Sequence, residues 1–415
     1  MTGEPFRRAG RQPLGRVGHP AGVTRARGRF WALVAVAALG LGGCSSGDGG
    51  RSAAASVAPS PSAAAVAASP SPSASPAADP NAFTLVATGD LLIHKPVANR
   101  ALADGGGRHY DFRTMLAKVK PLIAGADLAI CHIETPLSSD DKNISGYPVF
   151  NTPHELADAV AWAGYDGCST ASNHSVDRGV AGVRDTLGAL DAWHLQHAGT
   201  ARSAAEAQKV ELHRVKGAVV AHLSYTYGTN GIPVPSGAPW SINLISVPKI
   251  LADAKRAKDG GATFVVVSLH WGQEYQSAPT PTQLAQARQL LRSPYVDLIL
   301  GDHVHVQQPV QRIGDKYVVY GMGNLLSNQS PAAGLKPQTQ DGGVVSVHVV
   351  HRGTRWVADA VTITATYCQI GPYTVWPVTQ SLADPSTPAS LRAALTASLK
   401  RTKAIYATMR GATVV

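Results

Sequence analysis

The sequence lacks several arrangements that define common functional classes. Its four cysteines form no Cys-x-x-Cys pair, which argues against a zinc site built from thiolates. No Gly-x-Ser-x-Gly elbow follows a predicted strand, so a Ser-His-Asp hydrolase is disfavoured. No stripe of Lys and Arg alternates with aromatic residues and no nucleic-acid motif occurs, so we expect no nucleic-acid partner. No internal repeat is present, which excludes a solenoid.

Residues 1–43 are predicted to be a lipoprotein signal peptide. An arginine-rich start with a single acid, Glu4, precedes an uncharged run over residues 30–43. That run is shorter than the roughly 20 apolar residues that a membrane-spanning helix needs, although an uncleaved anchor is the alternative. It ends in Leu-Gly-Gly before Cys44, which resembles the lipobox of bacterial lipoproteins. The resemblance implies lipidation at Cys44 and a position on the outer face of the cytoplasmic membrane, with the membrane as a partner.

The segment after the signal is predicted to be a spacer. Residues 44–82 consist almost wholly of Ser, Ala, Pro and Gly, which cannot bury enough apolar surface to offset the entropy of ordering. Most of the net charge of +10 falls in the signal, so the remaining chain has only a small positive charge. That charge is weak support for any polyanion partner.

Residues 83–375 are predicted to form one α/β domain, because strand-like and helix-like runs alternate and then give way to strands. Thr152 with Glu155, and Thr280 with Gln283, have the spacing of a capping box at a helix start. The Gly/Pro-rich loop over residues 226–241 is expected at the rim of a site. Residues 376–415, with a helical run over 389–409, are predicted to be a C-terminal appendage.

Three further cysteines leave the disulfide pattern open. Cys131 and Cys168 lie in apolar, strand-like runs and would pair if those strands are neighbours. Buried free thiols are an equally good interpretation of both, and Cys368 has no evident partner.

Five apolar runs that we predict to be strands end in polar residues typical of metal sites. The polar residues are Asp90, His132 and Glu134, Asn173 and His174, His270, and finally Asp302, His303 and His305. Each alone has an ordinary explanation as a turn or core residue. Ligands of open α/β sheets gather at the carboxyl ends of strands, so we expect the five ends to meet at one crevice. In an extended segment His303 and His305 would point to the same side. Carboxylates, an amide and imidazoles without thiolates favour Mn, Zn or Fe over Ca or Mg.

The order of these motifs resembles the CapA family of capsule or poly-γ-glutamate synthesis proteins, within the calcineurin-like metallophosphoesterase superfamily. The shared motifs are Gly-Asp, Glu-Thr-Pro-Leu, Ala-x-Asn-His-x-x-Asp-x-Gly, His-Trp-Gly-x-Glu-Tyr, Gly-x-His-x-His and Tyr-x-x-Gly-Asn, over about residues 83–326. The resemblance implies a four-layer α/β/β/α sandwich, like metallo-dependent phosphatases, with two metal ions.

The resemblance also implies a role for each matching residue. Asp90 and His305 would hold one metal ion, Asn173, His270 and His303 the other, and Glu134 would lie between them. His174 would be the catalytic residue that acts on the substrate, while Asp177, Glu274 and Asn324 would orient the ligands.

Two positions depart from the family pattern. The family usually has Asn-Leu-Glu where this chain has His132-Ile133-Glu134, and His-His-Pro-His where it has Asp302 to His305. His132 is therefore a possible additional ligand, as is His94, four residues after Asp90. Asp302 either orients His303 or adds a carboxylate.

The leading hypothesis is a lipid-anchored hydrolase that uses two transition-metal ions on a phosphoester or related bond in capsule or cell-envelope polymer metabolism. The alternative is a non-catalytic accessory protein in poly-γ-glutamate or capsule synthesis or export. An anionic envelope polymer or its precursor is the expected partner beside the membrane.

Overall fold

The computed structural model describes residues 79–415; the predicted signal peptide, Cys44 and nearly all of the predicted spacer lie outside that part. The strands are β1 (Ala82–Leu91), β2 (Leu128–Ile133), β3 (Gly167–Ser169), β4 (Gln196–Ala198), β5 (Glu211–Val215), β6 (Ala218–Thr226), β7 (Phe264–His270), β8 (Leu298–Asp302), β9 (Gln307–Ile313), β10 (Lys316–Met322), β11 (Asn324–Leu326), β12 (Asp341–Arg352), β13 (Arg355–Cys368), β14 (Val375–Pro377) and β15 (Thr413–Val414). The helices are α1 (Lys95–Asp104), α2 (Arg113–Leu116), α3 (Lys120–Ala124), α4 (Glu155–Ala163), α5 (Gly179–Ala192), α6 (Val247–Asp259), α7 (Pro281–Arg292), α8 (Val378–Ala383) and α9 (Ala389–Tyr406).

Two sheets of mixed direction form the centre of the structure. The first has the strand order β14-β13-β12-β1-β2-β3-β4, with β11 beside β1 and β15 beside β13. The second has the order β5-β6-β7-β8-β10-β9. Strands β1, β2, β3 and β4 run parallel to one another in the first sheet, and β6, β7 and β8 do so in the second, so within each set the carboxyl ends share an edge.

The apolar side chains fill three layers. Leu85 and Ala87 of β1 pack between the sheets, while Val86 points to the opposite side, where α1 to α5 cover the first sheet. On the outer face of the second sheet, Leu223 of β6 packs with residues of α6 and α7. This alternation follows from the two-residue period of a strand. The predicted four-layer α/β/β/α sandwich is confirmed.

One of the two predicted capping boxes is confirmed. Thr280 caps α7, with its side chain accepting from the Gln283 backbone N–H and the Gln283 side chain accepting from the Thr280 backbone N–H. The prediction for Thr152 is wrong, because α4 begins two residues later with His154 as its N-cap. The hydroxyl of Thr152 instead forms a 2.8 Å hydrogen bond with the hydroxyl of Thr135, so a tertiary contact replaces the local one.

The last forty residues pack against the rest of the described chain. Trp376 and Leu395 share an apolar cluster with Ala365 of β13. The Arg401 guanidinium donates to the Asp341 carboxylate of β12, and the Thr402 hydroxyl donates to the Gln307 side chain over 2.8 Å. The predicted helical run forms α9, which contacts both sheets through these residues.

The described residues contain one disulfide, between Cys131 of β2 and Cys168 of β3. The two cysteines are direct partners in the parallel pairing of these strands. Cys368 is a buried free thiol. No helix among residues 79–415 has both the length and the apolar character needed to cross a bilayer.

Candidate metal centre

The polar ends of the predicted strands meet at one buried cluster, as the sequence indicates. The strand pairing itself places Asp90 beside His132, His132 beside Ser169, and His270 beside Asp302. Asp90, Glu134, His270, His303 and His305 are each at most 3% exposed. The cluster therefore lies below the surface, where electrostatic interactions are strong.

Asp90, Glu134 and His305 form the first group of potential metal ligands. Nδ1 of His305 lies 2.9 Å from Oδ2 of Asp90, and its Nε2 lies 3.7 Å from Oε1 of Glu134. The side-chain carbonyl of Asn324 is a second neighbour of His305 Nδ1, at 3.1 Å. Two carboxylates thus face one imidazole, and Asn324 limits the rotation of its ring.

Asp90, His132 and His270 form the second group, so the two groups share Asp90. Nε2 of His132 lies 3.9 Å from Oδ1 of Asp90. Nε2 of His270 lies 2.9 Å from the side-chain oxygen of Asn173 and 4.0 Å from Oε1 of Glu134. His132, which we predicted only as a possible additional ligand, lies inside this group.

His303 joins the cluster by a different geometry from the one we predicted. Strand β8 ends at Asp302, and His303 and His305 follow it with φ angles of 90° and 56°. Both are therefore in the sparsely populated left-handed region rather than extended. The centres of their rings are nevertheless 6.0 Å apart, so both side chains reach the same cluster. The His303 backbone N–H donates to Oδ1 of Asp90.

Several buried polar atoms of the cluster have no hydrogen-bond partner. They are both carboxylate oxygens of Glu134, Oδ1 of Asp302, Nε2 of His132, and Nδ1 of His270 and of His303. Buried polar groups normally have partners, so six such atoms on neighbouring residues of one cluster need an explanation. The atoms are carboxylate oxygens and imidazole nitrogens, which are ligands of divalent transition metals. The residues therefore fit a divalent metal ion, and the cluster is a candidate site for one.

The pKa values within the cluster are displaced in opposite directions. Burial raises the pKa of Glu134 and of Asp302 well above the usual range for carboxyl groups. Burial also lowers the pKa of His132 to about 4 and that of His303 to about 3. His305 is the exception, because the carboxylates of Glu134 and Asp90 outweigh its burial and raise its pKa to about 9. Without a metal ion, burial thus favours the neutral carboxyl forms of Glu134 and Asp302 and the neutral imidazole forms of His132 and His303, and the neutral imidazole is the form that binds a metal.

His174 lies at the edge of the cluster with its ring held by two neighbours. Nδ1 of His174 donates to Oδ2 of Asp177 over 2.8 Å, and the ring of Phe150 packs against it edge-on at 4.6 Å. Asp177 also accepts the Phe150 backbone N–H. Nε2 of His174 points away from Asp177, towards Asn230 at 3.4 Å.

Other predicted residues lie at varying distances from the two groups. Asn324 contacts His305 directly, whereas Glu274 is half-buried in the loop after β7. Asp302 does not hydrogen-bond to His303; its Oδ2 lies 3.8 Å from Nδ1 of His132. His94 precedes α1 and contacts the backbone of residues 92 and 328, outside both groups.

Three neighbours of the cluster are absent from the sequence-based prediction. Ser169 contacts Nδ1 of His132 at 2.7 Å, and the Asn230 side chain accepts from that of Asn173 at 3.2 Å. The ring of Tyr227 lies 4.4 Å from that of His303. Tyr227 and Asn230 belong to the Gly/Pro-rich loop that we expected at the rim, so position in that loop was the available signal. No sequence signal pointed to Ser169, because only the pairing of β2 with β3 brings it near His132.

The protein is an α/β protein with two facing sheets and outer helices. Its buried cluster of carboxylates, imidazoles and an amide is a candidate metal centre. The chain belongs to the bacterial capsule synthesis protein PGA_cap family, whose pattern it matches over residues 84–329. Capsule biosynthesis protein CapA of Bacillus anthracis is 28% identical over 282 residues, covering 65% of each chain. PGA biosynthesis protein CapA of Bacillus subtilis (strain 168) is 28% identical over 247 residues, covering 57% of this chain and 61% of its own. The chain thus spans less than two thirds of both relatives.

Solved structures with some likeness include NAD nucleotidase NadN of Haemophilus influenzae and calcineurin-like phosphoesterase YfkN of Bacillus subtilis. NadN has a TM-score of 0.44 at 10% identity, with 80% of this chain and 64% of that chain covered. YfkN has a TM-score of 0.40 at 12% identity, with 78% of this chain and 99% of that chain covered.

Proposed function

We propose that this chain is an extracytoplasmic, lipid-anchored hydrolase that uses a metal centre to cleave a phosphoester or related bond in capsule or cell-envelope polymer metabolism. The observation that carries the proposal is the position of Glu134. Its carboxylate is completely buried, has no hydrogen-bond partner, and lies within 4.0 Å of both His270 and His305. A carboxylate in such surroundings is neutralised by a proton or compensated by a positive charge, and a divalent metal ion bound beside it would supply that charge.

Two divalent transition-metal ions, Mn, Zn or Fe, are proposed for the site. Asp90 and His305 would hold one ion, Asn173, His270 and His303 the other, and Glu134 would lie between them. His132 is placed to add an imidazole nitrogen beside Asp90. Bound there, the ions would supply Lewis-acid polarisation of a phosphoryl oxygen.

His174 is proposed to handle the proton of the leaving group. Asp177 accepts from Nδ1 and thereby fixes the ring, which leaves Nε2 facing Asn230. A protonated His174 would donate from Nε2 to the departing oxygen, while Asp177 stabilises the imidazolium. Asn230, within 3.4 Å of the same nitrogen, lies where it can contact substrate together with His174.

The proposed location rests on the N-terminal sequence, with a basic start, a short apolar run and Cys44. The Cys131–Cys168 disulfide supports it, because disulfides persist mainly outside the reducing cytoplasm. Radiolabelled palmitate incorporation into the wild-type chain but not into Cys44→Ser tests the anchor. Equal incorporation into both would exclude Cys44 as the lipidation site.

The hydrolase proposal is tested by metal analysis and activity on the full-length chain. We expect at least one equivalent of transition metal, and hydrolysis of bis-p-nitrophenyl phosphate that EDTA abolishes and Mn or Zn restores. Asp90→Asn should lose both metal and activity, whereas Asp315→Asn, which removes an exposed carboxylate in the β9–β10 turn, should keep both. Less than one equivalent of metal together with no activity after Mn or Zn addition would refute the proposal.

A non-catalytic role in polymer synthesis or export is the second candidate, favoured by the names of the relatives as biosynthesis proteins. Polymer production by cells that carry His174→Ala or Asp90→Ala separates the two roles. If both variants sustain production while deletion of the gene abolishes it, the cell needs the protein but not its catalysis.

A further inference from the structure

A cavity outside the metal cluster lies beside an open edge of β6. Strand β5 pairs with β6 only as far as the Glu211–His222 pair, so within the described chain residues 223–225 have no strand partner on that side. The cavity has a volume of about 40 Å³ and is lined by residues of β4, β5, β6 and α6 and by Trp240. One water molecule needs roughly 10–15 Å³ by this measure, so the cavity has room for a ligand of a few non-hydrogen atoms. None of the described lining residues belongs to the metal cluster.

Three groups on the lining that can donate hydrogen bonds have no partner within the described chain. They are the Ser224 hydroxyl, Nε1 of Trp240 and Nε of Arg256, and all three atoms are buried. Ser224 is only 1% exposed, and a Cβ at the adjacent Gly199 would lie 2.8 Å from its Oγ. The glycine therefore leaves space beside this hydroxyl. Buried donors without acceptors are costly, so a ligand that accepts from them would be stabilised here.

One carboxylate of the lining is also unpaired. Glu206 and Asp253 both accept from arginine side chains, whereas Glu211 forms no ion pair within the described chain. Burial raises the pKa of Glu211, as expected for a half-buried carboxylate that no hydrogen bond stabilises. Lys209, which also lines the cavity, is exposed to solvent. The cavity thus offers unused donors together with one unused anionic acceptor.

Strand pairing places the Ser224 hydroxyl near the Glu211 carboxylate. Glu211 lies directly opposite His222, so Ser224 is its diagonal neighbour on the same face of the sheet. Diagonal neighbours are about 7–8 Å apart, a distance that a long side chain can span. In an α-amino acid the carboxylate and the ammonium group are attached to one carbon. We propose that the cavity binds a small α-amino acid, whose carboxylate accepts from the three unpartnered donors and whose ammonium group donates to Glu211. This site is separate from the proposed hydrolase centre.

Equilibrium dialysis of the full-length chain with radiolabelled glycine tests the site. EDTA is present throughout, because glycine also chelates metal ions. We expect saturable binding at a single site. Unlabelled glycine should compete at least about tenfold better than acetate, which lacks the ammonium group, or methylamine, which lacks the carboxylate.

Two variants that nearly preserve side-chain shape assign the two ends of the ligand. Glu211→Gln should weaken glycine binding at least about tenfold and change acetate binding less than about twofold, whereas Ser224→Ala should weaken both. Asp259→Asn is the matched control, because it removes a carboxylate of α6 that lies outside the cavity, and glycine binding should not change. The melting temperature of each variant is measured to establish that it is folded.

Absence of saturable glycine binding, or wild-type binding by both variants, would overturn the proposal. Equal competition by acetate would replace it with an anion site, and equal competition by methylamine with a cation site. Glycine binding that occurs only without EDTA would place glycine on the metal centre and would also refute the assignment to this cavity.

Discussion

Oδ2 of Asp302 lies 3.8 Å from Nδ1 of His132, although the two residues belong to different sheets. Both residues lie at positions where the sequence resemblance implies a departure from the family pattern. Nδ1 of His132 hydrogen-bonds to the Ser169 hydroxyl at 2.7 Å, so Asp302 is a nearby carboxylate and not its hydrogen-bond acceptor, while Nε2 faces Asp90 without a partner. Residues behind a metal-binding histidine influence its orientation and its affinity for the metal.

A double-mutant cycle tests whether His132 and Asp302 act as one unit. We expect His132→Asn and Asp302→Asn each to weaken Mn binding about tenfold, and the double variant to lose less than the product of the two effects. The control is Asp297→Asn. Asp297 lies just before β8, at the opposite end of that strand from Asp302, and its carboxylate accepts a hydrogen bond from the Val265 backbone N–H. That control should leave Mn affinity unchanged. Strictly multiplicative losses would show that the two residues act independently.

Replacing Glu134 by Gln should affect the metal-free and metal-loaded proteins in opposite ways. Without metal, the substitution removes a buried carboxyl group with no partner, so the melting temperature should stay equal or rise. With Mn at 100 times its Kd, the wild-type protein should gain about 2.7 kcal/mol of unfolding free energy, and the variant less. Calorimetry with EDTA and with Mn measures both. A variant that melts lower without metal yet gains as much from Mn would contradict the assignment of Glu134 as a ligand.

Asp177→Asn should lower kcat at least about tenfold while metal content stays the same, because a neutral amide replaces the carboxylate that orients the His174 ring and stabilises its imidazolium form. In a His174→Ala background the same change should have no further effect on kcat. Steady-state kinetics of the four proteins measure this. An equal additional loss in the His174→Ala background would mean that Asp177 acts by another route, such as its bond to the Phe150 backbone.

His213 should make folding stability depend on pH. Burial lowers its pKa to about 4 from an ordinary value of 6.5, and its Nε2 has no partner. The unfolded chain therefore binds the proton more readily, so stability is complete above pH 6.5 and falls as the pH drops towards 4. At pH 5 the loss is about 2 kcal/mol.

Urea unfolding of wild type and His213→Gln at pH 7.5 and pH 5 measures this difference. The variant should lose about 2 kcal/mol less than the wild type on acidification. His109→Gln, which replaces an exposed histidine, should follow the wild type. Parallel pH dependence in all three proteins would show that His213 does not contribute.

Reducing the Cys131–Cys168 disulfide should lower stability by about 4 kcal/mol, the chain-entropy value for a separation of 37 residues. Dithiothreitol should therefore lower the melting temperature of the wild type but not that of Cys131→Ser/Cys168→Ser. The double variant serves as the control, since it retains the free Cys368. An identical response in both proteins would place the effect of the reductant elsewhere.

The sequence alone determined the layered architecture and the members of the cluster. Strand β7 is a continuous apolar run and ends at His270, so its existence and its polar end follow from local pattern. The same holds for Asp90, Glu134 and Asn173, because the carboxyl ends of parallel strands must share an edge. The capping box of Thr280 was predictable because all its contacts are local.

Tertiary structure decided what depends on contacts between distant segments. The hydroxyl of Thr152 bonds to Thr135 rather than to α4, because the chain before the helix packs against the loop after β2. His303 and His305 reach the centre through positive φ angles, which only the surrounding packing can impose on histidine. The pairing of His132 with Ser169 and its approach to Asp302 follow from strand order and from the facing of two sheets. No local pattern encodes such distances, since the partners are far apart along the chain and meet only after both sheets have formed.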